Sequence, residues 1–395
     1  MSANRRVVAI MAIATGAIVA NIYYAQPLVA TLAHAFGAST AAIGVLITVT
    51  QLGYAAGLAT LVPLGDLLER RRLLITLLAV CVLGLAAMAT APTLAVICSA
   101  GVLVGLTSVA VQVIVPFAAH LAHEGEQGRV VGTVMSGLLI GILLSRTASG
   151  LLAEWIGWRW VFGIAAIVTA LIAGVLWREL PVHAPTVNMS YPRLLGSVLA
   201  LIREEPALRF RMIYGGLGMG AFSMIWSVIG FLLARPPYGW SEAAIGLFAL
   251  FGVAGALGAR FAGGLADRGH TRWAGLGFAL VMALSFVALG FGASHVVALA
   301  LGVVLLDLGM QGMQITNQSV IYPLRPAARS RVNTAYMTTL FLGASAGSAL
   351  ASIMYGIGGW VGMCWVGAAL PTTITLLMLL DWALDSRRNR VLAVS

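Results

Sequence analysis

Residues 37–72 read GASTAAIGVLITVTQLGYAAGLATLVPLGDLLERRR: a polar corner, a long apolar helix rich in small residues, an aspartate, and three arginines. A second copy, GWSEAAIGLFALFGVAGALGARFAGGLADRGHTR, starts 202 residues later at Gly239. Gly37, Ser39, Ala41, Ala42, Ile43 and Gly44 return as Gly239, Ser241, Ala243, Ala244, Ile245 and Gly246. Each copy ends in an acid followed by arginines, Asp66 with Arg70, Arg71 and Arg72, and Asp267 with Arg268 and Arg272. The same offset returns Arg129, Met135, Gly141, Gly157 and Trp158 as Arg331, Met337, Gly343, Gly359 and Trp360, and Gln112 as Gln314. A repeat of about half the chain means two structurally equivalent halves.

Hydrophobic residues make up 60% of the 395 and charged residues 9%. A soluble protein of this size needs far more charged surface, so the composition points to a polytopic membrane protein. A helix needs about 20 apolar residues to cross the hydrocarbon. Such runs fall at 8–33, 41–66, 73–91, 94–119, 131–155, 159–177, 210–234, 242–264, 273–292, 295–322, 332–357 and 360–382, here called spans one to twelve. Continuous runs suit helices, whose backbone groups are satisfied internally, rather than the alternating strands of a barrel. The expectation is an all-α membrane protein of twelve transmembrane helices in two pseudo-symmetric six-helix bundles, 1–178 and 210–395. A linker, 179–209, joins them and carries the amphipathic segment RLLGSVLALIREE, which suits a membrane surface. The first run is too long, and lacks the cleavage site, for a removable signal peptide.

All 23 basic residues are arginine. With the N-terminus in the cytoplasm, nineteen of them fall in cytoplasmic loops and ends, so the positive-inside rule places both termini there. The net charge of +10 then reflects arginines facing an anionic leaflet, and no nucleic-acid partner is expected. Cys81, Cys98 and Cys364 lie in apolar spans without partner spacing, which argues against disulfides and metal sites. His120 and His123, with Glu124 and Glu126 nearby, read as a solvated loop face rather than a metal site. Gly343-Ala-Ser345-Ala-Gly347 has the hydrolase G-x-S-x-G spacing but lies inside a membrane helix, where no strand–turn–helix elbow can form, and reads as packing.

Polar residues deep in these spans are the candidate site. Span one carries Asn21, Tyr24 and Gln26 ahead of Pro27, which frees a carbonyl one turn back and predicts a kink. Asn21 either lines a cavity or bonds a neighbouring helix. In span five, Gly137, Gly141, Ser145 and Ser149 recur every four residues and predict close helix approach. Span eight offers Gly255, Ala259 and Gly263, while spans two and eleven offer Gly53 with Gly57, and Gly343, Gly347 with Ala351; these four helices read as the seam between halves. Beside the span-five stripe lies Arg146, which costs at least ~2.5–3.5 kcal/mol at mid-membrane unless paired or wet. It serves either a structural ion pair or substrate and proton handling. Span ten carries Asp307, Gln311, Gln314 and Gln318 on one helical stripe. Span four has Gly105 where span ten has Asp307, so the repeat scaffold does not require the acid, and its depth suits loading and releasing a proton.

Twelve spans, two related halves and the acid–arginine loop after spans two and eight resemble the major facilitator superfamily over essentially the whole chain. The family's loop signature is approximately G-x-L-a-D-R-x-G-R-R. Gly263-Gly-Leu-Ala-Asp267-Arg268-Gly269 follows it closely, whereas the first copy keeps Asp66, Arg70 and Arg71 but has Val62, Leu67 and Glu69 at three signature positions. The resemblance implies that Asp66, Arg70, Arg71, Asp267 and Arg268 form a cytoplasmic gate. Span five is similar to the antiporter signature G-x-x-x-G-P-x-x-G-G, with Gly141 and Gly150 in place and Ser145, Arg146 and Ser149 substituting. NIYYAQP in span one together with LLDLGMQG in span ten resembles bacterial inner-membrane exporters of drugs or sugars.

The expected function is therefore proton-coupled efflux of a small organic molecule by alternating access, with substrate near the midplane where the repeats meet. Asp307 and Arg146 are the expected proton-coupling residues. Asn21, Tyr24, Gln26, Gln112, Gln311, Gln314 and Gln318 are the expected cavity lining. Proton-linked uptake uses the same parts in reverse. An enzyme or receptor fits less well, because no span carries a nucleophile–base pair or paired carboxylates and no sizeable soluble domain exists. No cofactor or metal is expected, and the unit is expected to be a monomer in the bacterial inner membrane.

Overall fold

A computed structural model describes residues 5–123, 126–182, 189–253, 264–265, 270–325 and 328–392, with side chains through Asp381. The expected row Gly255, Ala259 and Gly263, together with Arg260, Asp267, Arg268 and Glu124, lies outside these residues.

Every regular element among the described residues is helical. Span two is Thr40–Thr60, continued by Leu64–Leu67; span three is Arg70–Ala89; span four is Leu94–Ser108 with Ala110–Leu121. Spans five, six and seven are Gln127–Ile156, Trp158–Glu179 and Pro206–Leu233. Spans nine and ten are Thr271–Phe291 and Val296–Ile321. Spans eleven and twelve run on as Arg329–Leu392, turned at Gly359. Nine described helices are long and apolar enough to cross a membrane. The difference from twelve has three causes: spans eleven and twelve meet at the Gly359 turn and count as one, span one is broken into shorter pieces, and span eight is described as a helical stretch only over Glu242–Val253.

Span one is Arg5–Ala20 and Val29–Phe36, with Asn21–Leu28 between them outside the α-helix. There Tyr23 N donates to Ala20 O and Gln26 N to Tyr23 O, the three-residue spacing of tight turns. The kink expected at Pro27 is thus an eight-residue break. Pro27 supplies no N–H and disfavours helical geometry in the residue before it. Span eight begins as Glu242–Phe248 and tightens to a 3-10 turn at Ala249–Val253.

The repeat extends to the backbone. Among the described residues four glycines have positive φ, and they fall into two pairs at the 202-residue offset: Gly37 and Gly239 (58° and 62°), and Gly157 and Gly359 (88° and 62°). Glycine adopts this region without the steric penalty other residues meet. Two residues on from the first pair, Ser39 and Ser241 each cap the following helix, accepting from Ala42 N and Ala244 N.

The small-residue stripes pack differently from the expectation. Gly137 and Gly141 of span five lie on Ala12 and Gly16 of span one, and Gly343 and Gly347 of span eleven lie on Gly216 and Gly220 of span seven. Gly53 and Gly57 face Val102 and Leu106 of span four. These rows hold each half together, because each is only one face of its helix. The seam between halves uses the same helices but other residues: Gly44 against Ser352, and Gly150 and Gly246 against the facing backbone of spans eight and five.

The linker helix is Tyr191–Glu204. Its Leu194 and Leu201 are buried against protein. Tyr191 Oη donates to Thr60 O in the first half, and Arg325 in the second half bonds Glu205 at 2.6 Å.

Candidate functional site

The break in span one turns Tyr23 and Gln26 toward Arg146 of span five. Gln26 Oε1 accepts from Arg146 Nε at 2.7 Å. The Arg146 guanidinium carbon lies 4.8 Å from the Tyr23 ring centre and 4.1 Å from that of Trp226 in span seven, two cation–π contacts on one charge. Ser149 Oγ donates to Tyr24 O at 2.6 Å, satisfying a carbonyl that the break would leave orphaned.

Asp307 arrives from the other half. It is buried, and its Oδ1 is so close to Gly252 that a methyl group there would lie 3.2 Å away. The same methyl would lie 3.7 Å from the Trp226 ring, so the 3-10 turn, the indole and the carboxyl share one enclosure. Arg146 and Asp307 interact electrostatically without a direct ion pair. Arg146 Nη2, Trp226 Nε1 and Asp307 Oδ2 are buried without a hydrogen-bond partner. Buried polar atoms are nearly always satisfied, and three together mark a place where another group is to bind or where the packing is to change.

On one side of this cluster the halves are joined. Thr147 Oγ1 donates to Gly246 O at 2.9 Å, Ala243 N to Glu154 Oε2 at 3.0 Å, and Thr31 Oγ1 to Glu242 Oε1. Spans two and eleven add Ser345 Oγ to Thr48 O at 3.0 Å and Thr48 Oγ1 to Ser348 Oγ at 3.2 Å, while the Gln51 amide exchanges hydrogen bonds with Ser223. Toward the arginine-rich end the halves part around a cavity of about 550 Å³. Leu58, Asp66, Arg70 and Gln112 line it from the first half, and Tyr322 and Asn333 from the second.

The expected site residues separate accordingly. Arg146, Gln26 and Asp307 come together at the boundary. Gln112 lines the cavity and donates to Tyr54 Oη at 3.4 Å. Asn21 instead turns into its own half, donating to Thr169 at 3.4 Å and lying 3.6 Å from Cys81 Sγ, the neighbouring-helix alternative. Tyr24 is half-buried and contributes its carbonyl; Gln311, Gln314 and Gln318 are half-buried on the stripe below Asp307. Asp66 and Arg70 pair at 3.4 Å, and Arg70 Nε also donates to Gly65 O, so both bond within their own loop. Arg71 stacks on Trp177 and donates to Leu180 O, away from the cavity.

Sequence reasoning passed over Tyr23, Gln51, Trp226 and Gly252. Trp226 was discoverable: tryptophan favours the membrane–water interface, and this one lies in the middle of a span.

Broken helices meeting at a two-half boundary are the architecture of secondary transporters. A family profile described as the Major Facilitator Superfamily matches residues 11–322. The chain belongs to the major facilitator superfamily. It is 48% identical over 378 residues to the uncharacterized transporter YgaY of Escherichia coli O157:H7, covering 95% of this chain and 94% of that one. A relative from Streptomyces coelicolor named a probable transporter is 34% identical, covering 93% and 86%. Another, named "Probable sugar efflux transporter" in Helicobacter pylori, is 23% identical, covering 87% and 86%. A point mutant of the nucleoside transporter NupG has a similar fold at a TM-score of 0.78 and 13% identity, covering 94% and 98%. A bacterial homologue of the lysosomal transporter Spinster, in an inward-facing and occupied conformation, also scores 0.78 at 13% identity, covering 97% of each chain. Membership of the major facilitator superfamily makes this chain a multi-pass membrane transporter of small molecules rather than an enzyme.

Proposed function

We propose that the chain exports a small organic molecule across the bacterial inner membrane in exchange for protons. Residues 1–178 and 210–395 rock against one another, with 179–209 as the linker. The observation that carries this reading is the meeting of Arg146 and Asp307 at the boundary of the halves, each with a buried atom left unbonded. A carboxyl and a guanidinium that approach from opposite halves without a direct ion pair suit a cycle in which proton and substrate take turns at one place. Asp307 loads the proton; Arg146, held by Gln26, faces an anionic group of the substrate or the deprotonated acid. Among the described residues Asp307 has no second buried acid beside it, which argues against strongly cationic cargo.

The arginine-rich end is assigned to the cytoplasm, so the 550 Å³ cavity is the cytoplasmic approach and the joined side is the closed outer gate. Asp66 and Arg70, with Asp267 and Arg268 of the second copy, form the cytoplasmic gate that must close when the outer one opens. The efflux name of the Helicobacter relative and the exporter-like NIYYAQP segment favour export over uptake.

The test is solute movement in everted membrane vesicles under an imposed pH gradient, screening sugars, metabolites and antibiotics first found to stabilise the purified protein. Acidification of the lumen should drive uptake into everted vesicles, and acidification of the outside should not. Uptake driven only by outside acid would make the protein a proton symporter, the importer reading, and movement indifferent to the gradient would remove proton coupling.

A further inference from the structure

The duplicated halves provide an internal comparison at their arginine-rich corners, where spans three and six meet in the first half and spans nine and twelve in the second. At the 202-residue offset Leu74 corresponds to Leu276, Leu176 to Met378, and Glu179 to Asp381. In the first half this corner is filled. Leu74 and Leu176 are completely buried, and Glu179 pairs with Arg6 at 2.9 Å.

In the second half the same positions surround a cavity of about 290 Å³, lined by Arg211, Tyr214, Arg272, Trp273, Leu276, Met378 and Asp381. Arg272 Nη2 and Asp381 Oδ2 lie 3.9 Å apart. Arg211, on span seven, is anchored by one nitrogen to Asn317 Oδ1 at 3.2 Å and lies over the Tyr214 ring. Two arginines and one carboxylate thus face this space, whereas the corresponding Leu74 and Leu176 of the first half are fully buried. Trp273, 58% exposed, borders it on the outer surface. Tryptophan at the end of a span marks the level of lipid headgroups, and basic pockets between helices at that level receive anionic ones.

We propose that this corner is a binding site for the phosphate of an anionic glycerophospholipid. The phosphate lies between Arg211 and Arg272, the glycerol backbone rests against Trp273, and the acyl chains run along the apolar faces of spans nine and twelve. The site depends only on membrane embedding and is independent of what the protein transports.

Native mass spectrometry of the detergent-solubilised protein, titrated with phosphatidylglycerol, phosphatidylcholine or inorganic phosphate, tests this. The wild type should retain phosphatidylglycerol in preference to phosphatidylcholine. Arg211→Gln and Arg272→Gln should each weaken retention about fivefold, the effect of one basic residue near a lipid surface. Asp381→Asn removes the carboxylate that opposes the phosphate and should strengthen retention, so the assignment does not rest on loss alone. Arg6→Gln, at the filled corner, should leave it unchanged. Equal retention by wild type, Arg211→Gln and Asp381→Asn would overturn the site. Competition by inorganic phosphate at lipid concentrations would overturn the lipid assignment in favour of a soluble phosphate ligand.

Discussion

Arg146 and Asp307 reach the boundary between the halves from opposite sides and share one neighbour, the Trp226 indole, without touching each other. A direct ion pair would satisfy both charges and lock the halves together, and breaking a buried pair costs several kcal/mol, on the order of 3–5. The indole lies against both groups, with its ring face on the cation, and takes the place of a direct bond between them. The arrangement suits a boundary that must reopen on each cycle.

Asp307→Asn should abolish transport driven by a pH gradient while the protein still inserts and folds. Asparagine keeps the size and one acceptor but cannot load a proton. Flux in proteoliposomes, with and without the gradient, reads this directly, and substrate binding measured by thermal shift should survive. Wild-type gradient-driven flux in the variant would take Asp307 out of the mechanism.

Trp226→Phe should keep much of the activity and Trp226→Leu little of it. Phenylalanine preserves a ring face for Arg146, whereas leucine removes an interaction worth ~2 kcal/mol when desolvated, roughly a thirtyfold effect. Initial rates of the two variants at equal expression decide it. Equal loss in both would mean that the indole N–H, rather than the ring face, is what the site uses.

The two-half plan was readable because glycines and capping serines must sit where the backbone turns, and such positions recur visibly at a fixed offset. The central Arg146 and Asp307 were readable because charge is costly in lipid. The facing of Asn21, Tyr23 and Tyr24 was not. All three lie within the break, and once the chain leaves the helix its 100° periodicity no longer assigns directions; Tyr23 turned to Arg146 and Asn21 to Thr169. The stripes of spans five and eleven showed that a close neighbour existed without saying which. Gly141 and Gly343 choose helices within their own halves, and the polar contacts that join the halves, such as Thr48 with Ser348, carry no periodic signal.

Gly343→Ala should destabilise the protein, whereas Gly356→Ala should not. A methyl group at 343 would run into the Gly216 carbonyl, and at 356 it would meet nothing within 4 Å. Overpacking of this kind costs roughly 1–3 kcal/mol, while alanine in an open helical position gains about 0.5–1 kcal/mol over glycine. Thermal denaturation in detergent should separate the two variants in opposite directions from wild type. A lower Tm for Gly356→Ala than for Gly343→Ala would contradict the packing of span eleven on span seven.

The closed side depends on two carboxylates that hold the start of span eight. Glu154 of span five accepts from Ala243 N, and Glu242 accepts from Thr31 of span one. A carboxylate at a helix N-terminus gains from both the free N–H groups and the helix dipole, and glutamine loses the charge while keeping the shape. Glu154→Gln with Glu242→Gln should therefore shift the population toward the state open on that side. Ile245, 5% exposed in the seam, reports this when replaced by cysteine in a background lacking Cys81, Cys98 and Cys364. Its labelling by a membrane-impermeant maleimide should accelerate in the double variant and slow again when a ligand holds the protein with its arginine-rich side open. An unchanged labelling rate would mean that the serine and threonine contacts of spans two and eleven keep the halves joined without help from the carboxylates.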